Sequence, residues 1–198
     1  MSSTVIIPTI GRITLLKAVE SVLRENLDLI VVVDGQHAIP KLPKDVNVVR
    51  LGRRFGNYGS MCYNVGAYLT KTDFFISLAD DDELGDDFGK NISKVIESNP
   101  RIDIWIPEIV FNDGGIAGTP ELGFSIGNVC APIYRTEILA EVPFSHDMSK
   151  DNINFTDFSH IIACVYKGYK VSWATTLKYL VRPNLLKRRG FGDILKMI

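Results

Sequence analysis

The chain has 198 residues, 46% of them hydrophobic, with 23 acidic against 22 basic side chains and a formal net charge of −1. That length suits one domain with a real core, and the balanced charge argues against a nucleic-acid partner, which would call for a broad basic field. Cys62, Cys130 and Cys164 are odd in number and widely spaced, which argues against a disulfide framework or a CxxC zinc site and fits a reducing compartment, the cytoplasm.

"TVIIP" (4–8) is a short apolar run stopped by Pro8 and Gly11, after which Leu15, Leu16, Val19, Val22 and Leu23 recur at helical spacing: strand, loop, helix. "LDLIVVVDG" (27–35) is a continuous β-branched run of the kind expected in a parallel strand covered on both faces, and it ends at Asp34. "VNVVRL" (46–51) reads as a third strand, "GSMCYNVGAYLTK" (59–71) as a helix despite its glycines, and "DFFISLA" (73–79) as a fourth strand. Strands alternating with helices imply right-handed crossovers and a mainly parallel sheet, with ligands beyond the carboxyl ends of its strands. Thr9 to Arg12, Asp34 and Asp80 to Asp82 are therefore expected along one edge. Further on, 101–111 reads as strand, 112–123 as a mobile glycine-rich loop, 134–142 as a short helix, 156–167 as a helix and "YKVSWA" as a strand. Trp105 and Trp173 fall inside strand-like runs and are expected in the core.

The fourth strand runs into Asp80, Asp81, Asp82 and Glu83, with Asp86 and Asp87 just beyond. Like charges so close raise each other's pKa values unless something positive sits among them. Carboxylates at a strand end are hard oxygen ligands suited to Mg²⁺ or Mn²⁺, which are typically held by one or two side chains plus substrate phosphates. A solvated acidic turn ahead of a helix is the plainer alternative.

From "VIIPTIGR", "IVVVDG", "SLADDDEL", "SIGNVCAPIYRTEIL" (125–139) and "TDFSHIIACVYKGYKVSW" (156–173), taken in that order, residues 4–184 resemble the glycosyltransferases of the GT-A fold, chiefly the large family of inverting nucleotide-sugar transferases (family 2-like). The resemblance implies an α/β domain over 1–184 with a mainly parallel, Rossmann-like central sheet flanked by helices. It implies transfer of a hexose from a UDP-sugar to an acceptor hydroxyl by single displacement with inversion, assisted by Mn²⁺ or Mg²⁺. Thr9, Gly11, Arg12, Asp34, Asn64, Asp80, Asp81, Gly127 and Asn128 would contact the nucleotide or the donor sugar, with Asp34 accepting a hydrogen bond from uracil or else capping a turn. Aligning on Leu78 and Leu84 makes Asp81 the second carboxylate of the DXD motif and leaves Ala79 at the first. Reading "DDD" as the motif makes Asp82 the direct metal ligand, and Asp82 is preferred because glucuronosyltransferase-like members carry a similar "ADDD". Asp157 is the implied general base, in a Thr156-Asp157 pair where the family usually has Glu-Asp.

The resemblance thins at the metal site, where many relatives place a His after the last strand. This chain has Arg182, Pro183 and Asn184 there, with His146 and His160 as candidate substitutes. Arg53 and Arg54 are candidates for donor phosphate or plain surface. The tail 185–198, with Lys187, Arg188 and Arg189 beside two glycines, is a candidate lid over the diphosphate or a contact for an anionic membrane surface. No run of 18 apolar residues stands anywhere in the chain, so no membrane span is expected. Two rival functions stand beside the transferase. One is a sugar-phosphate nucleotidyltransferase, whose glycine-rich loop "PTIGRITLLK" lacks; the other is a non-catalytic sugar-nucleotide-binding GT-A domain.

Overall fold

A computed structural model describes residues 2–123, 130–144 and 156–181. The apolar runs of the first half become β1 (Ser3–Thr9), α1 (Leu15–Arg24), β2 (Asp28–Val33), β3 (Asn47–Arg50), α2 (Ser60–Leu69) and β4 (Phe74–Ser77). β2 and β4 pair in parallel with the two sides of β1, and β3 continues the sheet beyond β2 in the same sense. Parallel neighbours need crossovers: α1 links β1 to β2, the helix-free stretch 34–46 links β2 to β3, and α2 lies on the return from β3 to β4.

The second half contributes β5 (Glu83–Leu84), α3 (Phe88–Ser98), β6 (Ile104–Phe111), β7 (Ile116–Ala117), β8 (Ile133–Arg135), α4 (Ile138–Glu141), α5 (Thr156–Tyr166) and β9 (Val171–Val181). The sheet order among the described residues is β3-β2-β1-β4-β8-β6-β9-β5, with β7 hydrogen-bonded to β6. β8 runs antiparallel to both β4 and β6, while the long β6–β9 pairing is parallel. The sheet is thus mostly parallel, with β8 running the other way where its two halves meet and the short β5 and β7 lying antiparallel to β9 and β6.

Both faces are covered, as the unbroken apolar runs require. Side chains alternate across each strand, so Val5, Ile7, Phe74 and Ile76 join Leu15, Val19, Val22, Ile92 and Ile96 under α1 and α3. Ile6, Val32 and Phe75 instead join Cys62, Tyr63, Tyr134, Ile161 and Cys164 under α2 and α5. Gly66 shows why α2 tolerates glycine: a Cβ there would lie 2.4 Å from Ile6 Cγ2, so the missing side chain is what lets the helix rest on β1.

Three expectations need correction. Residues 134–142 are not one helix: Ile133–Arg135 is a strand, and α4 begins only at Ile138. The stretch 112–123 is not plain loop, since Ile116–Ala117 pairs with β6 and Pro120–Leu122 forms a 3₁₀ turn. The last strand does not stop at 174 but runs to Val181. Trp105 is buried and Trp173 half-buried, in keeping with core packing. None of the described helices is long and apolar enough to cross a membrane.

Candidate active site

Because β1 and β4 are parallel neighbours, the chain leaving Thr9 meets the chain leaving Ser77, and Leu78 N–H still donates to Ile6 O at 3.1 Å. Thr9 Oγ1 donates to Asp80 Oδ2 at 2.6 Å and accepts from Gly11 N–H at 2.9 Å. Arg12 Nη1 donates to Asp80 Oδ1 at 2.8 Å and lies 3.4 Å from Asp81 Oδ2. Burial pushes the Asp80 carboxyl above the usual range, and the Thr9 and Arg12 contacts oppose that rise. Gly11 turns with φ +91°, and a Cβ on it would lie 2.0 Å from Ala38 O. Its smallness lets this loop pass its own chain.

Asp82 is buried and accepts from Tyr179 O–H at 2.5 Å. The partner arrives through the short β5–β9 ladder, which sets Leu84 against Tyr179 and is prolonged by Gly85 N–H to Lys178 O at 2.8 Å. From the other side Ser21 Oγ accepts from Leu84 N–H at 3.1 Å. The acidic turn is therefore pinned at both ends.

Asp157 stands half-buried in the first turn of α5. Ser77 Oγ donates to its Oδ1 at 3.3 Å, and the Ala131 backbone also hydrogen-bonds it. Burial pushes its carboxyl up to about 7, the two hydrogen bonds oppose the rise, and the negative charge of Asp82 adds to it. Tyr63 lies buried within electrostatic reach of Asp157, Asp80 and Asp82, and burial first, then those charges, raises its phenol well above the ordinary value. One sheet edge thus carries a carboxyl that burial pushes up to about 7 beside anchored carboxylates.

The remaining expected residues fall out differently. Asp34 is buried beside Thr9, its N–H donating to Thr9 O at 2.9 Å, but its carboxylate accepts from Phe55 N–H at 2.7 Å and Gly56 N–H at 2.8 Å. These are the turn-capping contacts of the alternative reading. Asn64 holds the Phe144 backbone on both sides, donating to its carbonyl at 2.9 Å and accepting from its N–H at 2.8 Å. His160 is buried, with Nε2 2.7 Å from Val142 O and its ring stacked 3.8 Å from that of Phe144, and burial lowers its pKa to about 4. Those contacts are structural. Arg53 lies 4.8 Å over the Phe55 ring. Gly127, Asn128, His146, Arg182 to Asn184 and the tail 185–198 lie outside the described residues.

Sequence reading passed over Ser77, Tyr63 and Tyr179. Ser77 carried a signal, as the polar side chain closing the buried run "FFISL" ahead of the aspartates. Tyr179 carried none, because its partner is 97 positions away.

No family model and no curated protein matches the sequence. Solved structures do match in shape. TarS 1–349 of S. aureus superposes with a TM-score of 0.69 at 16% identity, covering 91% of this chain and 60% of its own. The chain has the GT-A fold. TarS 1–349 in complex with UDP-GlcNAc gives a TM-score of 0.65 at 15% identity over 96% of this chain and 60% of that one. GalNAc-T7 with UDP, GalNAc and Mn²⁺ gives 0.63 at 16% identity over 91% and 44%. This GT-A chain therefore spans about three-fifths of the TarS 1–349 length.

Among the described residues no group of three His, Cys, Asp or Glu side chains converges as a complete metal site. What the GT-A chain does offer is Asp81 and Asp82 side by side on one pinned turn, a set of hard oxygens. That fits an ion such as Mg²⁺ or Mn²⁺ that completes its shell with phosphate and water.

Proposed function

We propose that this GT-A domain is a glycosyltransferase that moves a hexose from a UDP-sugar to an acceptor hydroxyl with inversion. The observation that carries the reading is Asp157, a carboxyl held by Ser77 at the tip of β4 and within electrostatic reach of Asp82, which burial pushes up to about 7. A general base works best with a pKa near the operating pH, and inverting transfer needs one to take the acceptor proton as the oxocarbenium-like centre is captured. The UDP complexes of TarS and the UDP and Mn²⁺ complex of GalNAc-T7 favour a uridine diphosphate donor.

In this reading Thr9 holds Asp80, which orders the turn under the ribose and diphosphate. Asp82, aimed by Tyr179, and Asp81 would hold Mn²⁺ or Mg²⁺, which when bound neutralises charge on the leaving diphosphate. Ser77 and the Ala131 backbone fix the Asp157 carboxylate, which would take the acceptor proton. Asp34 acts one step back, shaping the 55–56 loop beside the nucleotide rather than only meeting uracil. None of the three cysteines is in a disulfide, and we place the protein in the cytoplasm.

The test is a panel of UDP-sugars scored for UDP release with and without Mn²⁺. Metal-dependent release from one or two donors is expected. Release from none of them, alongside formation of a sugar nucleotide from a nucleoside triphosphate and a sugar phosphate, would replace the transferase by a nucleotidyltransferase.

A further inference from the structure

The aspartates that crowd the tip of β4 do not face one another without a counter-charge. A single guanidinium nitrogen, Arg12 Nη1, bridges Asp80 Oδ1 at 2.8 Å and Asp81 Oδ2 at 3.4 Å. Thr9 holds the other Asp80 oxygen at 2.6 Å. The Asp80 and Asp81 side chains are 5% and 12% exposed, whereas Arg12 is 50% exposed. The anions are anchored in the fold, and the cation is the member with a face to solvent.

A guanidinium presents five donors in a fork that matches phosphate as well as carboxylate. A diphosphate arriving from the solvent side therefore competes with Asp80 and Asp81 for Arg12. A divalent cation arriving first meets a carboxylate already beside a positive charge, and the two cations repel each other. A diphosphate removes that conflict twice over, by adding negative charge and by giving the guanidinium somewhere else to bind.

We propose that Arg12 is the built-in counter-cation of the acidic turn and imposes an order on binding: nucleotide first, divalent metal second, with the metal gaining Asp81, beside Asp82, only as the diphosphate draws the guanidinium away. The inference rests on the acidic turn being the diphosphate and metal site. It makes Arg12 a positioning residue whose removal strengthens one binding step.

Calorimetric titration of Mn²⁺ into the wild-type chain, Arg12→Gln and Arg12→Lys, each with and without UDP, tests it, with thermal melting to establish that each variant is folded. Without UDP, Arg12→Gln is expected to bind Mn²⁺ at least about tenfold more tightly than wild type, while Arg12→Lys, which keeps the charge, stays within about threefold. In the wild type UDP should tighten Mn²⁺ binding by about tenfold or more, and most of that coupling should vanish in Arg12→Gln. If Arg12→Gln gains no Mn²⁺ affinity while UDP-dependent Mn²⁺ binding still requires Asp82, the ordering role of Arg12 is refuted and the site reading stands. An equal gain in Arg12→Lys would also refute it, since charge would not be the cause. Absence of Mn²⁺ binding in the wild type even with UDP would overturn the site reading together with the inference. Should Arg12→Gln not fold, Arg12→Met carries the same neutral comparison.

Discussion

Replacing Asp157 by Asn should make the protein more stable while it stops transfer. The Asp157 carboxyl is raised from 3.8 to about 7, and each pKa unit corresponds to about 1.4 kcal/mol, so holding it ionised costs the folded state about 4 kcal/mol above neutral pH. The sign follows from which state keeps the proton. The folded chain binds it more tightly than the unfolded one, so below about pH 4 there is no penalty, and stability is lost as pH rises from about 4 to about 7. Asn removes the charge yet can still accept from Ser77 Oγ and the Ala131 backbone. Urea unfolding of both proteins between pH 5 and 8, without donor or metal, should show the variant's advantage growing with pH. By pH 8 the gap should reach several kcal/mol, equivalent to about 10 °C in Tm for a chain of this size. Transfer by the wild type should rise through about pH 7 as the base ionises, and the variant should lose about 10²- to 10⁴-fold in kcat with UDP binding intact. Parallel stability curves for the two proteins would mean that Asp157 is not a desolvated carboxyl, and its assignment as base would lose its physical ground.

Asp82→Ala should weaken UDP binding in the presence of Mn²⁺ by at least about tenfold while leaving metal-free UDP binding nearly unchanged, read by calorimetry. Tyr179→Phe keeps the ring in the core and removes one donor to a charged group, worth about 1.5–3 kcal/mol; UDP affinity with Mn²⁺ should fall about tenfold or more, without the collapse of stability that Tyr179→Ala would bring. Gly66→Ala forces a methyl to within 2.4 Å of Ile6 Cγ2 and should cost about 1–3 kcal/mol in urea unfolding, with the melting curve still cooperative.

The parallel half of the fold was legible because its physics is local: β1, β2 and β4 are apolar runs long enough to mark themselves, and the rule that ligands gather beyond parallel strand ends brought Thr9, Arg12 and Asp80 together correctly. Other parts were hidden for specific reasons. Phe88, Ile92 and Ile96 recur at helical spacing and the acidic turn allows a helix after it, yet Asp87 has φ +60° and makes no side-chain cap, and Gly89 interrupts the first turn, so where α3 begins is blurred. β8 is three residues long, and its place between β4 and β6 is a fact of pairing that no periodicity records. Asp34 reads equally as a nucleotide contact or a turn cap, and only the position of Phe55 and Gly56, about twenty residues on, brings the cap into view. Tyr179 is invisible for the same reason in stronger form.

The bond between Tyr179 and Asp82 bears on how the protein is made. By the time Ser98 has left the ribosome, β1, β2, β3 and β4 have all been synthesised and can pair with one another. The phenol that aims Asp82 is synthesised 97 residues after the aspartate it serves. The nascent chain should therefore pass through a stage that is structured but chemically unfinished, with competence arriving only when the last strand docks along β6.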